Sequence, residues 1–195
     1  MTTPFLQLKN VSKAFPGVQA LDDISIDIYK GEIHALLGEN GAGKSTLIKL
    51  LTGVHSWDSG TITFDGVEIT ALNPSQAIHD LGIVPIYQEL NLIPGLDVAE
   101  NIFLGREILA NKPFKIINRK EIVQRTISIL ESLDQKISPT ALINTLGVGK
   151  QQMVEVAKAL SIEARLLILD EPTASLGEDE TERSEEHTSE LQSHH

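Results

Sequence analysis

The stretch Gly38-Glu39-Asn40-Gly41-Ala42-Gly43-Lys44-Ser45-Thr46 restricts this chain more than any other. It fits the pattern G-x-x-x-x-G-K-[ST], with Gly38, Gly43, Lys44 and Ser45 at the fixed positions. The spacing has a physical reason. Glycines let successive backbone N–H groups curl around phosphate oxygens. Lys44 reaches the β- and γ-phosphates as a point charge, and the Ser45 hydroxyl can ligate Mg²⁺. Thr46 to Leu51 reads as a helix whose positive N-terminal end faces the same phosphates. The mostly apolar run Ile33-His34-Ala35-Leu36-Leu37 just before the loop is expected as a buried parallel strand.

A second chemical signal lies far downstream. Arg165 leads into Leu166-Leu167-Ile168-Leu169, an apolar run expected as another buried parallel strand, and Asp170-Glu171-Pro172 follows. Asp170 is placed to hold Mg²⁺, directly or through water. Glu171 is placed to polarise an attacking water, as base or orienter. A plain strand-loop junction would look the same in isolation. The phosphate-loop pattern upstream favours the catalytic reading.

Between these signals the chain reads as a succession of short elements. Phe5–Val11 and Ile24–Ile28 alternate as half-buried strands do. Phe15 stands beside a Pro16-Gly17 turn, where it is either a ring that stacks on adenine or a small hydrophobic plug. Thr61–Phe64 and Val67–Ile69 flank Asp65-Gly66 as a hairpin. Pro74 to Leu81 suggests a short helix, and Gly82 to Tyr87 a strand that ends at Gln88. A glutamine just past such a strand sits where ligands collect in open α/β sheets, although a solvated loop residue is the plainer alternative.

From Glu89 to about Asn144 the periodicity becomes helical. Leu96–Leu104 has helical spacing, Asn118 can cap a helix starting at Arg119, and Ile122, Thr126, Ile129 and Leu133 recur along it. This stretch is read as a helical subdomain inserted into an α/β core. Leu146-Gly147-Val148-Gly149 opens a further helix with an expected apolar stripe of Met153, Val156 or Ala157, and Leu160. The glycine-bearing entry leaves N–H groups that favour an anion.

Composition removes some classes of function. The net charge is −11 with no run of Lys or Arg, which argues against a nucleic-acid partner. There is no cysteine, so disulfides and thiolate metal sites are excluded. No apolar run approaches membrane-spanning length and the N-terminus lacks a signal pattern, so the chain is not expected to enter a bilayer itself.

Taken in order, Gly38 to Ser45, Gln88, Leu146 to Lys150 and Leu166 to Glu171 resemble the ATP-binding subunits of ABC transporters. Phe15-Pro16-Gly17-Val18, Gly31 to Asn40, Tyr87 to Leu90 and Ala99 to Arg106 look like one subgroup, the N-terminal ATPase half of bacterial sugar importers of the ribose/galactose/xylose type. The likeness runs from about Phe5 to about Glu182. It implies an α/β fold: a P-loop NTPase core with an N-terminal antiparallel β subdomain and an inserted helical subdomain at about 89–144. It implies ATP and Mg²⁺ as cofactors. By resemblance Phe15 stacks on adenine, Gly38 to Thr46 cradles the phosphates, Lys44, Gln88 and Glu171 are catalytic, and Ser45, Gln88 and Asp170 serve the metal. Gln88 would also sense a permease. The implied partners are a second ATPase domain, a membrane permease and, indirectly, a sugar-binding protein, at the cytoplasmic face of the membrane. A fragment that binds nucleotide without turnover, and a soluble ABC ATPase outside transport, are the competing expectations.

The sequence also departs from the family. Its helix-entry motif is usually Leu-Ser-x-Gly-Gln, whereas Gly147 and Lys150 stand here for the serine and the glutamine. Gly177 follows Ala174-Ser175-Leu176 where the family often has Asp or Thr. The family's histidine switch has no counterpart. Residues 183–195 resemble the translated frame of a sequencing-library adapter, so the natural reading frame is expected to diverge near Glu182 and His187, His194 and His195 are not read as metal ligands.

Overall fold

The computed structural model describes residues 3–87, 89–110 and 116–170. They fall into two compact units divided between Pro85 and Ile86.

The first unit is built on an antiparallel sheet of β1 (Leu6–Phe15), β2 (Val18–Ile28), β3 (Ser59–Phe64) and β4 (Val67–Ile69), in the order β2-β1-β3-β4. Alternation puts Leu6 and Leu8 on one face, opposite Phe64 and Ile62 of β3. All four are at most 2% exposed. A register shift follows Leu8, where Asn10 takes φ 51°. The extra residue returns Val11 to the buried face, and Val11 is fully buried. Phe5 closes this core against Phe64, ring centroids 4.6 Å apart. Both hairpins turn at the dipeptides read from sequence, Pro16-Gly17 and Asp65-Gly66.

Helix α1 (Lys44–Leu51) buries Leu47, Ile48, Leu50 and Leu51, one stripe at helical spacing. Helix α2 (Pro74–His79) starts at a capping box in which Asn73 and Gln76 exchange side-chain and backbone bonds. Strand β5 (Ile83–Ile86) follows.

One expectation fails here. Ile33–Leu37 is not a strand, and Ile33 and Leu37 are 99% and 88% exposed. A parallel strand exists only through hydrogen bonds to neighbouring strands. None of the strands among the described residues pairs with this run.

The second unit packs α3 (Val98–Phe103), α4 (Arg119–Ser132) and α5 (Val148–Leu160) around a shared core. Val98, Ile102 and Phe103 meet Ile122, Leu130, Ile143, Val154 and Ala157 there. Asn118 caps α4 as expected, its side chain accepting from the Glu121 N–H. Along α4 the deepest positions are Ile122, Thr126 and Leu130, with Ile129 and Leu133 partly buried beside them. The α5 stripe agrees with the expected one at Ala157, with Met153 packed against the same core, and departs from it elsewhere. Val154, Ala157 and Ala159 are buried, whereas Met153, Val156 and Leu160 are half-buried. The helix is apolar on adjoining faces, so periodicity alone leaves its inward direction open by one residue.

Strand β6 (Leu166–Leu169) forms where expected but is only half-buried, with Leu169 50% exposed. The Ile86 carbonyl, at the end of β5, accepts from the Asp170 N–H at 3.0 Å.

Candidate functional site

The phosphate-loop residues form one continuous turn into α1. Gly41 and Gly43 both take φ 87°, the left-handed region open to glycine. At Gly43 a second constraint applies. A Cβ there would lie 2.4 Å from the Ala20 carbonyl oxygen and 2.9 Å from a Leu21 side-chain carbon, both in β2. Only glycine lets the loop rest this close to the sheet. The Ala42 N–H donates to the Glu39 carbonyl at 3.1 Å and tightens the turn.

Lys44 folds back over this turn. Its Nζ donates to the carbonyls of Gly38 at 2.5 Å and Glu39 at 3.0 Å. The ammonium is thereby held above the loop, with Gly38, Glu39, Asn40, Gly41 and Ala42 exposed around it. Ser45 is exposed and Thr46 half-buried in the first turn of α1. No side chain caps α1, and no acidic residue lies in its first turn. An uncapped helix start with a lysine beside it is a site for an anion rich in acceptor oxygens. These residues fit a triphosphate.

Phe15 ends β1 at the Pro16-Gly17 turn, cross-strand from Val18. Gly17 takes φ 82°, and proline followed by a positive-φ glycine is the signature of a type II turn. The ring is 37% exposed, so it is a partly open aromatic surface rather than a buried plug. Asp58 secures the base of this hairpin: its Oδ2 accepts from the Ala14 N–H and its Oδ1 from Lys13 Nζ, each at 2.7 Å. The Ala14 hydrogen bond first, and then Lys13, hold the Asp58 carboxyl below the usual range.

In the second unit, Asp170 directly follows β6, and its N–H is anchored on Ile86. Gln88 and Glu171, and the segment from Ala174 to Gly177, lie outside the described residues, as does the tail 183–195. The α5 entry is described. Gly147 is its N-cap with no side-chain bond to the helix. Gln151 instead secures the entry from inside, its Nε2 donating to the carbonyls of Ile143 at 3.2 Å and Leu146 at 2.8 Å.

Two supporting groups escaped the sequence reading. His55 lies edge-on to Phe15, centroids 5.2 Å apart, and forty positions of sequence hide that contact. Asn101 is fully buried and binds the loop before α3, accepting from the Ile93 N–H at 2.7 Å and donating to the Ile93 and Asp97 carbonyls at 3.2 and 3.0 Å. The signal available for that loop was Asp97-x-x-Glu100, which forms a capping box at the start of α3.

The family model described as ABC transporter matches residues 21–174. The chain is 50% identical over 184 residues to the L-arabinose transport ATP-binding protein AraG of Geobacillus stearothermophilus, covering 93% of this chain and 35% of that protein. It is 47% identical over 178 residues to the ribose import ATP-binding protein RbsA 1 of Streptomyces avermitilis, covering 91% of this chain and 33% of that protein. The chain thus spans about a third of the length of these curated relatives. Among solved structures it superposes on the ADP conformation of MJ1267, an ATP-binding cassette of an ABC transporter, with a TM-score of 0.75 and 30% identity, covering 89% of this chain and 70% of that one. The fold is that of an ABC ATPase cassette, an α/β P-loop NTPase with an antiparallel β part. The match over most of its length shows that the chain belongs to the ABC transporter family.

Proposed function

We propose that this chain is the ATP-binding part of an ATPase that powers carbohydrate import through a membrane permease. The observation that carries the reading is the loop at Gly43, seated against Ala20 with Lys44 arched over it and α1 left uncapped. The arabinose and ribose transport names of its relatives support sugar as the cargo.

In this reading Gly38 to Thr46 grips the triphosphate and Phe15 stacks on adenine. Ser45, Gln88 and Asp170 would hold Mg²⁺, which would supply charge neutralisation at the phosphate oxygens. Lys44 stabilises charge at the β- and γ-phosphates, and Glu171 orients or deprotonates the attacking water. Residues 1–182 supply the ATP-binding domain, with the helical subdomain at about 89–144, and 183–195 are a non-native-looking tail. A second ATPase domain completes the nucleotide site, the permease docks on the cassette at the cytoplasmic face of the membrane, and a sugar-binding protein acts through the permease. No helix among the described residues is long and apolar enough to cross a membrane. No nucleic-acid partner is assigned.

One observation favours a narrower activity for the chain itself. Gly147 offers no hydroxyl at the α5 entry. A hydrogen bond to a charged group is worth about 1.5–3 kcal/mol, so nucleotide clamping in trans is weakened. The purified chain is expected to bind ATP–Mg²⁺ and release phosphate slowly. Glu171→Gln should preserve binding and abolish the residual release. An unchanged rate in Glu171→Gln would remove the base assignment.

A further inference from the structure

We propose that His55 is a positioning residue for base recognition: it braces the Phe15 ring and links the aromatic platform to the phosphate-binding helix. The proposal rests on the reading of Phe15 as the group that stacks on the base.

The contact has the geometry of a directed aromatic pair. The ring planes are inclined by 69° with centroids 5.2 Å apart. In such an edge-to-face pair the positive ring edge meets the negative face, so one ring fixes the tilt of the other. Lys13 adds a second restraint, its Nζ 5.6 Å from the Phe15 centroid. Asp58 holds that ammonium at 2.7 Å and also donates its own N–H to the Ser12 carbonyl at 2.9 Å. A partly exposed phenylalanine at a hairpin tip would otherwise sample several rotamers, and a base would have to order it on binding.

The location of His55 gives the brace its second role. The His55 N–H donates to the Lys49 carbonyl of α1 at 3.1 Å, as does the Val54 N–H at 2.8 Å. His55 is thus tied to the C-terminal end of the helix that starts at Lys44. A closed circuit results within the first unit. Phe15 pairs with Val18, β2 runs on to Ala20, Ala20 contacts the Gly43 position, α1 leads to Lys49, and His55 returns to Phe15. Ring and phosphate loop are therefore held at a set separation. A ligand that carries both a base and phosphates gains from that separation, whereas phosphate alone does not.

The test compares two probes on the full chain by calorimetry: ATP and inorganic tripolyphosphate, each with Mg²⁺. The tripolyphosphate Kd divided by the ATP Kd is the ratio that reports the base contribution. Phe15→Ala should collapse the ratio. His55→Ala and His55→Gln should lower it roughly 2- to 10-fold with the tripolyphosphate Kd held within about 2-fold, and His55→Phe should restore it. A wild-type ratio in both His55→Ala and His55→Gln, with Phe15→Ala still low, would overturn the brace and leave Phe15 as the stacking group. Failure of His55→Phe to restore the ratio would also overturn it. A ratio unmoved by Phe15→Ala would remove the stacking assignment and the brace with it.

Discussion

Gly43 and Ala20 touch so closely that a single methyl group separates tolerance from collision. A Cβ at position 43 would stand 2.4 Å from the Ala20 carbonyl oxygen, and the backbone there already holds φ 87°. The phosphate loop is thereby pressed onto β2 by the lack of a side chain.

Gly43→Ala therefore meets two penalties at once. The left-handed backbone costs about 1–2 kcal/mol for a residue with a Cβ, and the collision with a backbone oxygen forces the loop outward. ATP affinity is expected to fall at least about tenfold, as a loop moved outward loses a charge-assisted contact. Thermal melting should fall with it. Calorimetry and a circular-dichroism melt on the variant check both.

Asn101→Ala tests the polar clamp in the helical unit. Asn101 is fully buried, and its loss removes the acceptor of the Ile93 N–H and the second donor at the Ile93 and Asp97 carbonyls, which keep the N–H groups of Leu96 and residue 101. The expected destabilisation is about 2 kcal/mol or more. Chemical denaturation should show a lower midpoint with an unchanged slope.

Gly147→Ser restores the hydroxyl at the α5 entry. Gly147 has φ −63° and ψ 157°, a conformation any residue adopts, so serine enters without strain. A serine N-cap exceeds glycine by only a few tenths of a kcal/mol in stability. The larger expected effect is stronger ATP-dependent association of two chains, read by sedimentation with Glu171→Gln in the background.

Asp58 gives the Phe15 hairpin a defined acid dependence. Its carboxyl is held below the ordinary range, first by the Ala14 N–H and then by Lys13. A depressed carboxyl stabilises above its unfolded value, about 3.9, and that contribution fades as pH falls through the lower folded value. The melting difference between wild type and Asp58→Asn should thus be constant from pH 7 down to about pH 5 and shrink below about pH 4.

What sequence could reveal depended on whether the determinant was local. The Gly38–Ser45 spacing, the Asn118 cap and the two hairpin dipeptides act within a few residues, and each lies where the residues imply. Ile33–Leu37 is different. Its apolar run is a property of the segment, but strand formation is a property of its neighbours, and no described strand pairs with it. On α5 the buried Ala157 lies where expected, but Val154 and Ala159 are buried deeper than Met153 and Leu160, because both neighbours in each pair are apolar. His55 beside Phe15 was invisible because the contact joins the end of α1 to a hairpin tip. Gln88 and Glu171 remain assigned by motif and resemblance.

The most direct measurement is titration of the purified 195-residue chain with ATP and Mg²⁺, beside Lys44→Ala. Lys44 is the cation poised over the Gly38 and Glu39 carbonyls, and its loss removes a charge-assisted contact worth about 1.5–3 kcal/mol. The expected result is saturable ATP uptake by the native chain and a loss of at least about tenfold in the variant, with an unchanged fold by circular dichroism. No heat of ATP binding in the native chain, or equal affinity in Lys44→Ala, would contradict the assignment of this loop as the nucleotide site.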